Sequence, residues 1–198
     1  MALTLDMGGR VDPAVQIMEW MVANRIKSTI FMTGAMVDNV NTDAGRRVLE
    51  IVDQNRDLFE LSNHSYTHPD FRDLTAAQMA NELRRTEETF AKYTNLSARP
   101  MWRPPYGGWN NAVLAAVGPA GYPYTIMWDI DTIDWRPESE GGPTTQFMIN
   151  KVVNNAQGGS IVLMHLGGWN TLDALPGMVA GLRAKGFEFA KVSEMLPR

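Results

Sequence analysis

The sequence has 198 residues, enough for one domain with a full core, and its 44% hydrophobic and 20% charged residues are typical of a globular protein. A net charge of −4 with scattered basic residues excludes the concentrated basic face that nucleic acid requires. No apolar run approaches the roughly 20 residues of a membrane span, and the absence of cysteine excludes disulfides and thiolate chemistry. No stretch resembles a signal peptide, and because the chain starts abruptly, we expect that a leader or anchor has been removed.

Seven apolar runs of strand length recur along the chain with helical patterns between them. The predicted strands are residues 2–6, 28–32, 58–62, 100–103, 124–129, 160–165 and 187–191. This alternation predicts an α/β fold with a parallel sheet and crossover helices, in a single domain that spans residues 1–198. An open doubly wound sheet and a barrel both satisfy the pattern.

Six helices are predicted between and after these strands. They are residues 13–25, 42–54, 76–93, 111–117, 144–155 and a last helix that begins near Leu172 and stops before Gly186. Thr75 and Gln78 form a capping-box pattern at the start of the third helix. A Gly-x-Gly-x-x-Gly turn is missing after the first strand, where Gly8, Gly9 and Arg10 stand instead, so dinucleotide binding is not expected.

Chemically capable side chains follow five of the predicted strands at their carboxyl ends. They are Asp6, the pair His64 and His68, Arg103, the aspartate run 129–134, and His165. In a parallel barrel those ends meet on one face, where active sites are built. The sequence contains three histidines and places all of them at such positions. This clustering is the strongest functional indication from the residues themselves.

His64 and His68 lie four positions apart, so both rings face one point if the segment turns helically. Neutral imidazole is a common ligand of divalent cations, although two histidines at this spacing are also found as ordinary loop residues. An aspartate can serve as a general base and an arginine can fix it, while a separate histidine backed by a carboxylate can act as a general acid. Together these groups suit metal-assisted hydrolysis of an acyl group.

Aromatic residues in the predicted loops indicate the substrate class. Tyr106, Trp109, Trp135 and Trp169 all lie beside the residues above, and an exposed tryptophan can stack on the C–H face of a sugar. The alternative is that these rings only fill the mouth of the barrel. The remaining tryptophans, at positions 20, 102 and 128, fall within predicted elements and are expected in the core.

The chain resembles the polysaccharide deacetylases, also called carbohydrate esterase family 4 or the NodB-homology domain, over nearly its whole length. Five motifs occur in the family's order: Thr4-Leu5-Asp6-Met7-Gly8, His64-Ser65-Tyr66-Thr67-His68, Arg103-Pro104-Pro105-Tyr106-Gly107, Asp134-Trp135 and Leu163-Met164-His165. The resemblance implies a distorted, TIM-like (β/α)7 barrel, which agrees with the seven predicted strands. It also implies an extracellular or cell-surface location.

The resemblance implies a role for each matching residue. His64 and His68 would bind one divalent metal, most commonly zinc. Asp6 would be the general base, held by Arg103, and the backbone N–H of Tyr106 would stabilise the oxyanion.

The general acid and the substrate contacts come from the later motifs. His165 would protonate the departing amine, oriented by Asp134. Trp135 and Leu163 would line the acetyl pocket, and Trp109 and Trp169 are further candidates for substrate contact.

The first motif departs from the family pattern at Met7, where the family has a second aspartate that binds the metal. A thioether is a soft, neutral donor, so the metal affinity is expected to fall. Three outcomes are open: the metal binds through the histidines with waters or Asp6, another carboxylate such as Asp70 replaces the missing ligand, or the site is empty and catalysis is weak.

The leading expectation is a metal-dependent deacetylase that acts on N-acetylated or O-acetylated polysaccharide, such as chitin oligomers, peptidoglycan or acetylxylan. The alternative is a weak or inactive carbohydrate-binding protein on the same barrel. A third alternative is a hydrolase of a small non-sugar amide, against which the tryptophans argue. No protein partner is implied.

Overall fold

The computed structural model describes residues 1–196 and contains one parallel sheet of seven strands. The strands are β1 (Ala2–Met7), β2 (Ser28–Met32), β3 (Phe59–Asn63), β4 (Met101–Trp102), β5 (Tyr124–Thr125), β6 (Ile130–Asp131) and β7 (Ile161–His165). Their order across the sheet is β5-β4-β3-β2-β1-β7-β6, and every neighbouring pair is parallel. The sheet curls into a half-barrel with β5 and β6 at its edges, so the predicted seven-stranded (β/α) fold is confirmed.

The helices follow the predicted pattern with small differences at their ends. They are α1 (Ala14–Ala23), α2 (Gly34–Val37), α3 (Ala44–Gln54), α4 (Ala76–Phe90), α5 (Asn111–Val117), α6 (Thr145–Asn155) and α7 (Thr171–Ala184). The capping box of α4 is confirmed, because Thr75 Oγ1 accepts from the Gln78 N–H and Gln78 Oε1 accepts from the Thr75 N–H. The short helix α2 was not predicted.

The prediction of a strand at residues 187–191 is wrong. The strand that brings the number to seven is the unpredicted β6, between β5 and β7 in the chain. Of the predicted strand 124–129, only Tyr124 and Thr125 form a strand. The next residues that join the sheet are Ile130 and Asp131, which pair with β7. Segment 187–191 finds no free edge at the centre of the sheet, because β1 already pairs with β2 on one side and β7 on the other. Its Ala190 N–H donates to the Met1 carbonyl at 2.9 Å, and the chain then continues into a short 3₁₀ turn.

The central strand β1 is buried along its whole length, and its alternating side chains serve two different faces. Leu3, Leu5 and Met7 pack into the apolar cluster that also contains residues of α1, α3 and α7. Thr4 and Asp6 point to the interior of the half-barrel, where both contact the guanidinium of Arg103. The register of β1 therefore places position 6 in the interior and position 7 in the core.

The expected domain bounds of 1–198 include two C-terminal residues that lie outside the described part of the chain. Across residues 1–196, the structure contains no helix with the length and apolar character needed to cross a bilayer.

Candidate active site

Asp6 and Arg103 form a buried ion pair at the carboxyl ends of β1 and β4. Arg103 Nη1 donates to Asp6 Oδ1 at 2.6 Å, and the two side chains are only 4% and 0% exposed. Arg103 Nη1 also donates to Thr4 Oγ1, and its Nε donates to the carbonyl of Ile126. The guanidinium therefore holds one carboxylate oxygen of Asp6 in place and leaves Oδ2 toward the histidines.

His64 is tied to the same arginine through the backbone. Its Nδ1 lies 2.9 Å from the carbonyl oxygen of Arg103, and because a carbonyl only accepts, Nδ1 carries the proton. The lone pair is then on Nε2, which lies 3.6 Å from Asp6 Oδ2 and 3.2 Å from Nε2 of His68. The three side chains thus converge as the strand-end argument predicted.

The two imidazoles converge through a loop and not through a helical turn, so that part of the expectation is wrong. Ser65 and His68 both adopt left-handed backbone conformations, with φ values of 67° and 63°. The His68 ring packs edge-on against Tyr106, with ring centroids 4.7 Å apart, and its other neighbour is Gly8. A Cβ at position 8 would lie 2.6 Å from His68 Cδ2, so only glycine lets the ring sit there.

Both imidazoles are held neutral. Burial lowers the pKa of His64, and it outweighs the opposing effect of the Asp6 charge. Burial also lowers the pKa of His68 to about 4, and the repulsion that a protonated His64 would exert adds to the effect. Neutral rings have the lone pairs that a metal ligand needs at ordinary pH.

The geometry of the histidine pair fits a divalent cation as two of its ligands. Two nitrogens bound to one tetrahedral zinc at about 2.0–2.1 Å would lie roughly 3.3 Å apart, close to the 3.2 Å between these Nε2 atoms. Within residues 1–196, however, no group of three or more His, Asp or Glu side chains is arranged to hold an ion. Catalytic zinc sites normally have three protein ligands, so the donor set is one ligand short.

Neither candidate for the third ligand lies ready to fill that place. Met7 is fully buried in the apolar cluster with Leu3 and Leu5, and it does not line the cavity. Asp70 is bound by Arg72, whose Nε and Nη2 both contact the carboxylate, and it also caps a 3₁₀ turn. Of the three open outcomes, the replacement of the missing aspartate by Asp70 is therefore disfavoured.

His165 and Asp134 form a second hydrogen-bonded pair. His165 Nδ1 lies 2.7 Å from Asp134 Oδ1, and Asp134 is fully buried. Burial alone would lower the pKa of His165, but the hydrogen bond and charge of Asp134 outweigh it, so the pKa is raised. An imidazole that keeps its proton more readily is suited to act as an acid.

Asp6 of the first pair and His165 of the second pair line the same cavity, which has a volume of about 580 Å³. Its lining includes Asp6, His64, His68, Tyr106, Trp135, Leu163 and His165. Trp109 and Trp169 do not line the cavity, although both are close in sequence to residues that do. Their side chains are 47% and 40% exposed. Trp169 instead stacks against the guanidinium of Arg10 at 4.1 Å.

Trp128 and Asp131 line the cavity, although the sequence assigned neither of them an individual role in the site. Trp128, expected in the core, is half-buried and faces the cavity, where it packs against Gly107. Asp131 also lines the cavity, and its Oδ1 accepts from the N–H of Ile133. The aspartate run 129–134 drew attention to this segment, but only Asp131 and Asp134 are turned toward the site.

Comparison with family models gives a match to the polysaccharide deacetylase model over residues 1–125. This stretch contains the Asp6–Arg103 pair and both histidines of the first cluster. Asp134 and His165 lie beyond the matched stretch.

Curated relatives include proteins of Bacillus subtilis. The uncharacterized protein YlxY is 29% identical over 87% of this chain and 50% of its own length. The peptidoglycan-N-acetylmuramic acid deacetylase PdaA is 25% identical over 98% of this chain and 70% of its own length. The chain thus spans about half the length of the first of these relatives.

Among solved structures, a CE4 family pseudoenzyme from Bacillus anthracis is 27% identical to this chain, with a TM-score of 0.81. The match covers 99% of this chain and 64% of that one. A mutant of that pseudoenzyme, described as having restored enzymatic activity, has the same TM-score.

Proposed function

The chain belongs to the polysaccharide deacetylase family, and on that premise we propose that it hydrolyses acetyl groups from an acetylated polysaccharide. The supporting observation is that Asp6, held by the buried Arg103, and His165, held by the buried Asp134, line one cavity that both other histidines also line. The proposed catalytic domain covers residues 1–198. An extracellular or cell-surface location is part of the proposal.

Asp6 is the proposed general base. Its Oδ1 is fixed by Arg103 and its Oδ2 points toward His64, so Oδ2 can take a proton from an attacking water. The buried guanidinium of Arg103 is the ion-pair partner of this carboxylate. The backbone N–H of Tyr106, at the rim of the cavity, is the proposed oxyanion donor.

His165 is the proposed general acid. An amine leaves an acyl carbon readily only when it is protonated, and the raised pKa of His165 keeps a proton available. This chemistry favours an N-acetyl group over an O-acetyl group as the substrate, because an alkoxide needs less help to leave. Leu163 and Trp135 line the cavity where the acetyl group would lie.

His64 and His68 are the residues that would hold a divalent cation, with zinc as the first candidate. Such a cation, when bound, would polarise the acetyl carbonyl as a Lewis acid. With two imidazoles and no aspartate at position 7, we expect the affinity to be lower than that of a three-ligand site.

An N-acetylated cell-wall glycan is the proposed substrate class. PdaA, which is named for the deacetylation of peptidoglycan N-acetylmuramic acid, aligns with 98% of the length of this chain at 25% identity. The test is acetate release from peptidoglycan, chitin oligomers and acetylxylan, with chelator and then with added zinc. Release that chelator abolishes and zinc restores supports the proposal, and release that ignores chelator removes the metal from it.

A second candidate is a carbohydrate-binding protein without catalysis. The burial of Met7 in the core favours it, as does the similarity to a pseudoenzyme. This reading expects saturable binding of saccharides and no acetate under any metal. Isothermal titration with the same glycans, run beside the acetate assay, separates the two candidates.

A further inference from the structure

Side chains satisfy the backbone N–H groups of the loop between His64 and His68, while the carbonyls of Ser65 and Tyr66 accept from the N–H groups of Gly34 and Ala35 in α2. The N–H groups of the four residues from Ser65 to His68 each donate to a side-chain oxygen. The loop is also bounded by two residues with positive φ, Ser65 and His68, a conformation that L-residues adopt rarely. It therefore needs outside partners to keep its shape.

Glu82 supplies the central two of these contacts from helix α4. Its Oε2 accepts from the backbone N–H of Tyr66 at 2.9 Å and of Thr67 at 2.7 Å. Its Oε1 accepts from the hydroxyl of Thr67 at 3.1 Å. One carboxylate therefore accepts from two consecutive backbone N–H groups midway between the two histidines.

Within the described residues, the hydrogen bonds that the Glu82 carboxylate accepts all come from this loop. Glu82 is only 8% exposed, and within residues 1–196 no lysine, arginine or histidine nitrogen lies within 4 Å of its carboxylate. A buried charge without an ion-pair partner is costly unless hydrogen bonds satisfy it. The three loop donors are what satisfies it here.

We propose that Glu82 is a positioning residue that sets the loop of residues 65–67 and so holds Nε2 of His68 at 3.2 Å from Nε2 of His64. The other two N–H groups of the loop have local acceptors, since Asn63 receives the Ser65 N–H and the Ser65 hydroxyl receives the His68 N–H. Helix α2 also contacts the loop, through the loop carbonyls, but within residues 1–196 Glu82 is the acceptor that reaches the loop N–H groups from another element. The inference rests on the proposed function only in taking the imidazole pair as the functional unit.

The test compares Glu82→Gln with Glu88→Gln in metal-free protein. The control residue lies on the same helix, is 58% exposed and contacts Arg84. Glutamine keeps the shape of Glu82 but removes the charge, so the Tyr66 and Thr67 N–H groups donate to a neutral amide oxygen and both hydrogen bonds become weaker. We expect hydrogen exchange of the Tyr66 and Thr67 amides to become at least about tenfold faster, and the imidazole ¹⁵N signals of His68 to shift.

Zinc affinity, measured by titration, is the second readout. Partners that orient metal ligands are typically worth about 10–100-fold in affinity, and we expect a loss of about tenfold in Glu82→Gln and none in Glu88→Gln. If the wild-type protein binds no zinc, the proposed metal-dependent function fails, and the amide and imidazole signals still decide the role of Glu82.

Two outcomes overturn the proposal. One is that the Tyr66 and Thr67 amides and the His68 ring signals match those of Glu88→Gln. The other is that exchange becomes faster by the same factor throughout the chain, which would show that Glu82 only stabilises the fold. Should Glu82→Gln fail to fold, Thr67→Val removes the one side-chain donor to Oε1 and must loosen the same two amides.

Discussion

Nδ1 of His165 lies 2.7 Å from Oδ1 of Asp134, and the other oxygen of this carboxylate is also occupied. Oδ2 accepts from the backbone N–H of His165 at 2.8 Å and from the hydroxyl of Thr171 at 2.6 Å. Asp134 is fully buried, so its charge acts on His165 with little screening by solvent. This arrangement raises the pKa of His165 above its usual value of 6.5.

Asp134→Asn should move the alkaline limb of the pH profile of kcat/KM to lower pH. The acid must be protonated to act, and loss of the carboxylate charge leaves burial to lower the pKa of His165. Acetate release measured between pH 5 and 10 checks this. In Thr171→Val the carboxylate stays charged and loses one donor, so its limb should stay near that of the wild type. An unmoved limb in Asp134→Asn would discard His165 as the acid.

Arg103→Met should lower the free energy of unfolding by about 3–5 kcal/mol, the usual cost of leaving one partner of a buried ion pair alone. Both side chains of the Asp6–Arg103 pair are nearly inaccessible, so solvent cannot compensate. The exposed Arg84–Glu88 pair provides the control, and Arg84→Met should cost about 0–1 kcal/mol. Urea unfolding measures both variants. Equal losses would mean that the buried pair has no special weight in this fold.

The strand ends were predictable because period and composition mark them. Asp6, Arg103 and His165 each follow an apolar run, and parallel strands must bring such positions to one face. Strand β6 was not predictable, because two residues carry no periodic signal and their pairing depends on the neighbouring β7.

The supporting residues of the site were harder to find than its functional groups. Glu82 lies on a helix at a position that resembles any other charged helix residue, and only the fold brings it to the loop after His64. Trp128 lies within the predicted strand 124–129 and was assigned to the core, since hydropathy does not distinguish a core ring from one at a cavity wall. These failures concern contacts between distant segments.

Met7→Asp should raise zinc affinity by about tenfold or more. The side chain of Met7 points into the core, but position 7 lies between two residues that line the cavity, Asp6 and Gly8, so an aspartate that turns toward the cavity would supply the third protein ligand. Without zinc, this variant should melt at a lower temperature than the wild type, because its charge replaces a fully buried thioether.

Met7→Asn is the matched control, since it has the same size as the aspartate but no charge. Calorimetric titration with zinc and thermal unfolding with and without chelator measure both variants. If zinc binds and stabilises the two variants equally, the missing aspartate is not what limits metal binding in this chain.

Trp135→Ala should raise KM for chitin oligomers by about 2–10-fold with a smaller change in kcat, because an aromatic contact contributes about 0.5–1.5 kcal/mol. Trp135 is 57% exposed and lines the cavity, whereas Trp109 is 47% exposed and does not line it. Trp109→Ala should therefore leave both constants near those of the wild type for short oligomers. Steady-state kinetics distinguish the two, and a larger effect at position 109 would move the substrate path away from this cavity.

Stability should fall as the pH decreases from about 6.5 to 4, with His68 as one cause. Its pKa in the folded protein is about 4, lowered first by burial and then by repulsion from His64 when that ring is protonated, whereas in the unfolded chain it is near the ordinary 6.5. Between these values the unfolded state binds a proton that the folded state does not, so acid favours unfolding. Urea midpoints measured in chelator across this range should decline less steeply in His68→Gln, with the remaining slope due in part to His64. His165→Gln should act with the opposite sign, because the raised pKa of His165 contributes stability that is fully present below pH 6.5 and is lost as the pH rises through the folded-state value. A full acid slope in His68→Gln would show that folding does not lower the pKa of His68, contrary to the effect expected from its burial.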